Sequence, residues 1–329
     1  MKKLVLLVFL LIFINNVKLN ASCGAANCPL NNYRFLIPGG FSLHIYSEYI
    51  NQDEVFVGSD KSFIGAIPED HDEIKTINYI QVFGFQYGIS RRLALNIDIP
   101  YIHREHWHLQ HNPGQDVIES WNFNGMGDVR IVGQYNLIEG REEFKPSVTL
   151  IGGFKLPTGA TNETNNYGEQ AEVTIQPGTG SLDEILGINF HKTVASLPLF
   201  SGDKFSALPL NAGMLYQIMG KGKEDYKMGN SLIMYISSEY NISESFSLLI
   251  QINGKFGEKA DPGSTGEPAE NTGGEWLYVS PGISYSFASS FNFYSYLQIP
   301  VYQDFNGIQQ ASKYNLQAGF YADLGLLKI

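Results

Sequence analysis

The sequence predicts an all-β chain, an antiparallel transmembrane β-barrel of about twelve strands with short periplasmic turns and long extracellular loops. Three observations carry that expectation. Apolar and polar residues alternate in segment after segment: Leu93, Leu95, Ile97, Ile99 and Tyr101 point one way, Ala94, Asn96 and Asp98 the other. A period of two is that of a strand with one apolar face. Connectors alternate in length, tight ones such as Ser90-Arg91-Arg92, Ser243-Glu244 and Ser289-Ser290 taking turns with long polar ones, as in barrels with turns on one side of the membrane and loops on the other. The strands run about ten residues, enough to cross a bilayer at a tilt.

The chain opens with Lys2 and Lys3 before an apolar run, Leu4 to Ile14, too short for a membrane-spanning helix. Residues 1–21 are expected to be a signal peptide, cleaved after Leu19-Asn20-Ala21, which sends the protein to the bacterial outer membrane. Residues 22–39 form an expected periplasmic segment or plug. It holds both cysteines, Cys23 and Cys28; in an oxidising compartment a local disulfide is expected, stiffening that segment alone.

Residues 40–329 are the expected barrel. Phe41, Leu43, Ile45 and Tyr49 alternate with Ser42, His44, Tyr46 and Glu48. After a polar loop come Tyr79, Phe83, Phe85 and Tyr87, then the Leu93 strand. A long loop, His106 to Asn124, precedes Ile131 to Leu137; Val148 to Leu156 and Leu186 to Phe190 follow across the Thr158–Gln176 loop. Leu210 to Ile218, Leu232 to Tyr240 and Phe246 to Ile252 continue the pattern. The Gly-, Pro- and Glu-rich stretch 258–274 reads as loop; Val279 to Phe287, Phe291 to Ile299 and Tyr314 to Leu324 complete the set.

Alternation does not say which face is inside, and a soluble sheet with an apolar core is the competitor. The signal peptide, the aromatic strand ends and six long loops on one side favour the membrane. Asp98, Asp128, Arg130 and Lys155, polar-face residues of three consecutive strands, then face the lumen, where they keep a polar interior satisfied or form a selective constriction. Aromatics at 13% and charges at only 17% of the chain suit sheets. With a net charge of -11 and no basic stripe, nucleic acid is excluded as a partner. The expected partners are the outer-membrane bilayer and a small-molecule solute.

Five of the seven histidines lie between positions 71 and 111. His103, His106, His108 and His111 have side chains that suit a divalent metal such as Zn or Cu, at spacings that bring ligands together; the plain reading is a hydrated loop at headgroup level. Gly125-Met-Gly-Asp128 is followed by no helix and no Lys-Ser/Thr, so it is not a phosphate cradle. No Ser/His/Asp order or metalloprotease spacing is present. Neither catalytic nor cofactor-binding residues are therefore expected, and the chain is not read as an enzyme.

Gly125-Met-Gly-Asp128, Lys155-Leu-Pro-Thr-Gly159 and Gln176-Pro-Gly-Thr-Gly-Ser-Leu-Asp183 follow one another at strand ends, with Ile99-Pro100-Tyr101 and Ile299-Pro300-Val301 as strand endings. His71-Asp-Glu and Glu119-Ser-Trp-Asn-Phe accompany them. This ordered set resembles the outer-membrane channel family named for the meta-pathway of phenol degradation, across nearly the whole chain from Cys23 onward. The resemblance implies a barrel and a transporter, with no catalytic residues to carry over. The chain departs in ending on Ile329 rather than an aromatic residue. The expected function is passive passage of small solutes, hydrophobic or aromatic ones included; the alternative is a metal-binding surface protein that uses the His-rich loop.

Overall fold

The computed structural model describes residues 38–66, 72–112, 115–140, 145–196, 206–265 and 269–326. The expected signal peptide, the Cys23–Cys28 pair and His71 lie outside the described residues. Fourteen strands form one sheet: β1 (Gly40–Val57), β2 (Asp60–Ser62), β3 (Glu73–Gly88), β4 (Leu93–Asn112), β5 (Gln115–Met126), β6 (Arg130–Ile138), β7 (Ser147–Lys155), β8 (Asp183–Ser196), β9 (Ser206–Ile218), β10 (Ser231–Asn241), β11 (Phe246–Gly257), β12 (Gly274–Ala288), β13 (Phe291–Phe305) and β14 (Ile308–Leu326). Twelve close the barrel. The other two, β2 and β5, are hairpin additions to β1 and β4. Closure comes from β14 pairing antiparallel with β1, with Glu48 opposite Gln317 and Ile50 opposite Asn315.

The two faces decide the solvent. Outward residues are large, apolar and open: Ile45, Phe83, Leu150, Ile188, Ile250 and Leu316 are each about two-fifths exposed. Inward ones are polar and buried, with Ser42, Gln251 and Ser280 fully so. A soluble protein sorts its side chains the opposite way. Apolar-out and polar-in is the arrangement of an outer-membrane-type barrel, closed so that no sheet edge meets lipid. Aromatic pairs sit on the outer face near the turn end, Phe41 with Phe85 and Phe293 with Phe320, and Tyr49 with Tyr79 sits nearer the loop end.

The barrel wall is uneven in height. β6 and β7 have 9 residues each, or about 30 Å of extended chain, just enough to cross at a tilt. β1, β4 and β14 have 18, 20 and 19 and rise well beyond the bilayer. Parts of the expected loops turn out to be such extensions, β1 running on to Val57 among them. The stretch His106 to Asn124 is a hairpin of β4 and β5, paired from Tyr101–Met126 to Asn112–Gln115. Between β13 and β14, Asn306-Gly307 makes a two-residue turn with Gly307 at a φ of 62°, so that connection is short on the loop side. Trp, Phe and β-branched residues hold a strand as well as aliphatic ones do, but the β4–β5 extension carries its bulk as His, Trp and Phe. An aliphatic stripe is therefore missing there.

Candidate functional site: the lumen and its extracellular rim

Three sequence-distant motifs converge on one buried node at the low side of the rim. Lys155 ends β7, Asp183 begins β8, and Asp128 lies just before β6. The Lys155 Nζ stands 2.7 Å from Asp128 Oδ2 and 3.1 Å from Asp183 Oδ2; it also donates to Ser181 Oγ and Thr179 Oγ1. Each carboxylate oxygen has further donors. Asp128 accepts from the backbone N–H of Gly159 at 2.9 Å and of Thr179 at 3.0 Å. Asp183 accepts from Ser181 Oγ at 2.7 Å, Gln217 Nε2 at 2.8 Å and the Gly220 N–H at 3.1 Å. Burial alone would raise the Asp128 pKa, but the Lys155 charge and these hydrogen bonds outweigh it and hold the carboxyl below its usual value. Glycine is required where the backbones cross: a Cβ on Gly178 would stand 2.6 Å from Gly159 backbone atoms.

The node pins the β7–β8 connection, which then folds inward. Arg104, on the inner face of β4, donates to the carbonyls of Ile175 and Gln176. Trp121 Nε1 donates to Glu169 O at 3.1 Å, and Trp121, Phe123, Ala171 and Ile175 pack together. Val173 joins Tyr226, Met228, Ala260 and Ala269 from the next two long connections. Three loops thus interlock over the extracellular mouth.

Below this roof the inner wall is largely polar, with Asn78, Gln86, Gln134 and Thr149 buried along it, and apolar clusters are set into it. Two of these clusters lie on β1 to β9. Ile50, Ile80, Val82 and Ile102 pack with Tyr46 on β1, β3 and β4, and Val132, Ile151 and Ile185 pack with Leu215 on β6 to β9. On β11 to β14, beside a cluster of Trp276, Tyr278, Phe305 and Ala311, runs a chain of amides. Asn315 Nδ2 donates to Gln298 Oε1 at 2.9 Å, Gln298 Nε2 to Asn253 Oδ1 at 3.4 Å, and Gln251 Nε2 to Asn253 Oδ1 at 3.3 Å. Where β14 closes on β1, Gln317 Nε2 donates to Glu48 Oε1 at 2.8 Å.

The expected lumen residues fall in register. Asp98 pairs with Arg130, and Arg130 with Lys155. Asp98 Oδ1 lies 3.1 Å from His44 Nε2, and a Cβ on Gly84 would collide with that imidazole at 1.8 Å. The histidines are split. His106 is buried on the inner face, with Nδ1 2.8 Å from Thr76 Oγ1 and its ring beside Trp121. His108 shares that face, 3.9 Å from Asp72, whereas His103 points outward to Tyr79, Glu105 and Asn124. His111 lies farther along β4. Among the described residues no three His, Cys, Asp or Glu side chains form a group able to hold a metal ion. Glu48, Asn315 and Gln317 were legible only as polar-face residues of the first and last strands, which closure makes neighbours.

The sequence profile of the family described as "Putative MetA-pathway of phenol degradation" matches residues 73–309. The structure is similar to an outer membrane channel from Pseudomonas putida F1, at a TM-score of 0.59 and 14% identity over 89% of this chain and 98% of that one. It is also similar to the transport unit of the autotransporter AIDA-I from Escherichia coli, at 0.50 and 9% over 90% and 92%. At these identities the likeness is one of fold. The sequence matches no curated protein.

Proposed function

This chain belongs to the phenol-degradation MetA-pathway family, and from that premise we propose that it is a passive channel of the bacterial outer membrane for small apolar or aromatic solutes. The observation that carries the reading is the pair of apolar clusters on the lumen wall. A barrel needs apolar side chains toward lipid, and a water-filled pore needs polar ones inside. Ile50, Ile80, Val82, Ile102, Val132, Ile151 and Ile185 face inward instead, a surface on which an apolar solute loses little on leaving its hydrophobic surroundings. The Pseudomonas putida relative is itself an outer membrane channel, which supports the same reading.

The lipopolysaccharide leaflet, rather than the phospholipid, is the barrier that makes such a channel useful, so the test needs that leaflet. Folded protein in vesicles with a lipopolysaccharide outer face should raise the influx of an alkylphenol down its gradient. Ile151→Asn with Ile185→Asn should slow that influx by several-fold. Influx at the rate of protein-free vesicles contradicts the proposal.

A further inference from the structure

We infer that the seam where β14 closes on β1, at Glu48, Gln317 and Asn315, is a binding site for the hydroxyl head of an uncharged amphiphilic solute. The inference rests on the channel reading above and adds the site and the chemical class. Glu48 stands in register with Gln317 on one side and Ile80 on the other. Two residues along the same face, Ile50 stands beside Asn315. The seam therefore sets hydrogen-bonding groups directly against the Ile50–Ile80–Val82–Ile102 cluster.

Its polar side is short of donors. Gln317 and Asn315 spend a side-chain N–H on Glu48 Oε1 and Gln298 Oε1. Glu48 Oε2, Gln317 Oε1 and Asn315 Oδ1 remain buried without a partner, on side chains that are 6, 6 and 4% exposed. Turning the Gln317 amide over would set its oxygen against the Glu48 Oε1 oxygen, so the contact favours the orientation in which the N–H donates. Buried acceptors without a donor are unfavourable, and three on adjacent inner-face positions call for a donor-bearing group. The wall beside these oxygens is the apolar Ile50–Ile80–Val82–Ile102 cluster, which disfavours a charged head. A neutral O–H gives its one hydrogen to one of these oxygens, and the attached apolar body lies along the isoleucine and valine side chains. Phenols and alcohols have that shape; their ethers lack the donor.

The test compares para-propylphenol with its methyl ether in lipopolysaccharide-faced vesicles holding the full folded chain, after subtraction of protein-free influx. The phenol should enter faster than the ether by roughly tenfold, the scale of one hydrogen bond. Glu48→Leu with Gln317→Leu should bring that ratio to about one. Heat-modifiable electrophoretic mobility reports folding of the variants. If the double variant does not fold, Gln317→Met, which removes one of the three acceptors, should still narrow the ratio. Equal entry of phenol and ether into wild-type vesicles, or a preference unchanged in folded variants, overturns the inference and leaves the channel reading standing. Faster entry of phenylpropylammonium than of the phenol overturns the neutral-head assignment. Entry of neither compound above protein-free vesicles overturns both readings.

Discussion

The rim node and the lumen seam bury comparable polar groups in the same barrel and supply them very differently. At the rim, one ammonium, two carboxylates and their neighbours satisfy every carboxylate oxygen. At the seam, three oxygens on adjacent residues have no donor. A saturated network rigidifies the site it occupies, whereas an undersupplied one stores free energy that a ligand can release. The rim therefore reads as architecture and the seam as function, and mutations should separate them.

The largest effect is expected at Lys155. Lys155→Met leaves the Asp128 and Asp183 carboxylates buried together with no cation, and removal of one partner from such a cluster costs about 3–5 kcal/mol. Urea unfolding of the folded barrel should show this as a lower midpoint. An unchanged midpoint would mean that the node contributes no stability. Gly178→Ala comes next: its methyl meets Gly159 backbone at 2.6 Å, an overpacking that costs about 1–3 kcal/mol. It should also loosen the β7–β8 connection, measured as faster proteolysis within residues 156–182.

The Asp128 carboxyl, held below its usual value, gives the node a pH dependence of definite sign. A depressed native pKa contributes stability above the unfolded value of about 3.9, lost as the pH falls through the native one. Wild-type unfolding midpoints should therefore drop on that acid limb, and Asp128→Asn should flatten it. An equally steep limb in the variant would assign the dependence to other carboxylates. The smallest stability effect is expected at the seam. Glu48→Leu with Gln317→Leu removes undersupplied groups and should leave the midpoint within about 1 kcal/mol of wild type, or raise it. A loss like that at Lys155 would erase the distinction between the two regions.

Much of the fold was legible because lipid on one side and a polar lumen on the other impose a period of two on every strand. Leu93 to Tyr101 shows it without interruption. The β4–β5 hairpin escaped because His106, His108, Trp121 and Phe123 make its inner face without an aliphatic stripe. The rim was half legible. Asp128 and Lys155 stand out as charges at strand ends, yet their meeting with Asp183 and Thr179 depends on how the β7–β8 connection folds back. At the seam, Glu48 and Gln317 are 269 positions apart and become neighbours only when β14 closes on β1. No local pattern encodes that contact.

The measurement that bears most directly on the account is downhill influx of an alkylphenol into lipopolysaccharide-faced vesicles, with and without the folded chain. Influx that rises in proportion to the folded protein, with no energy source, is the predicted result. Influx that stays at the protein-free rate while the barrel is folded and inserted would contradict it.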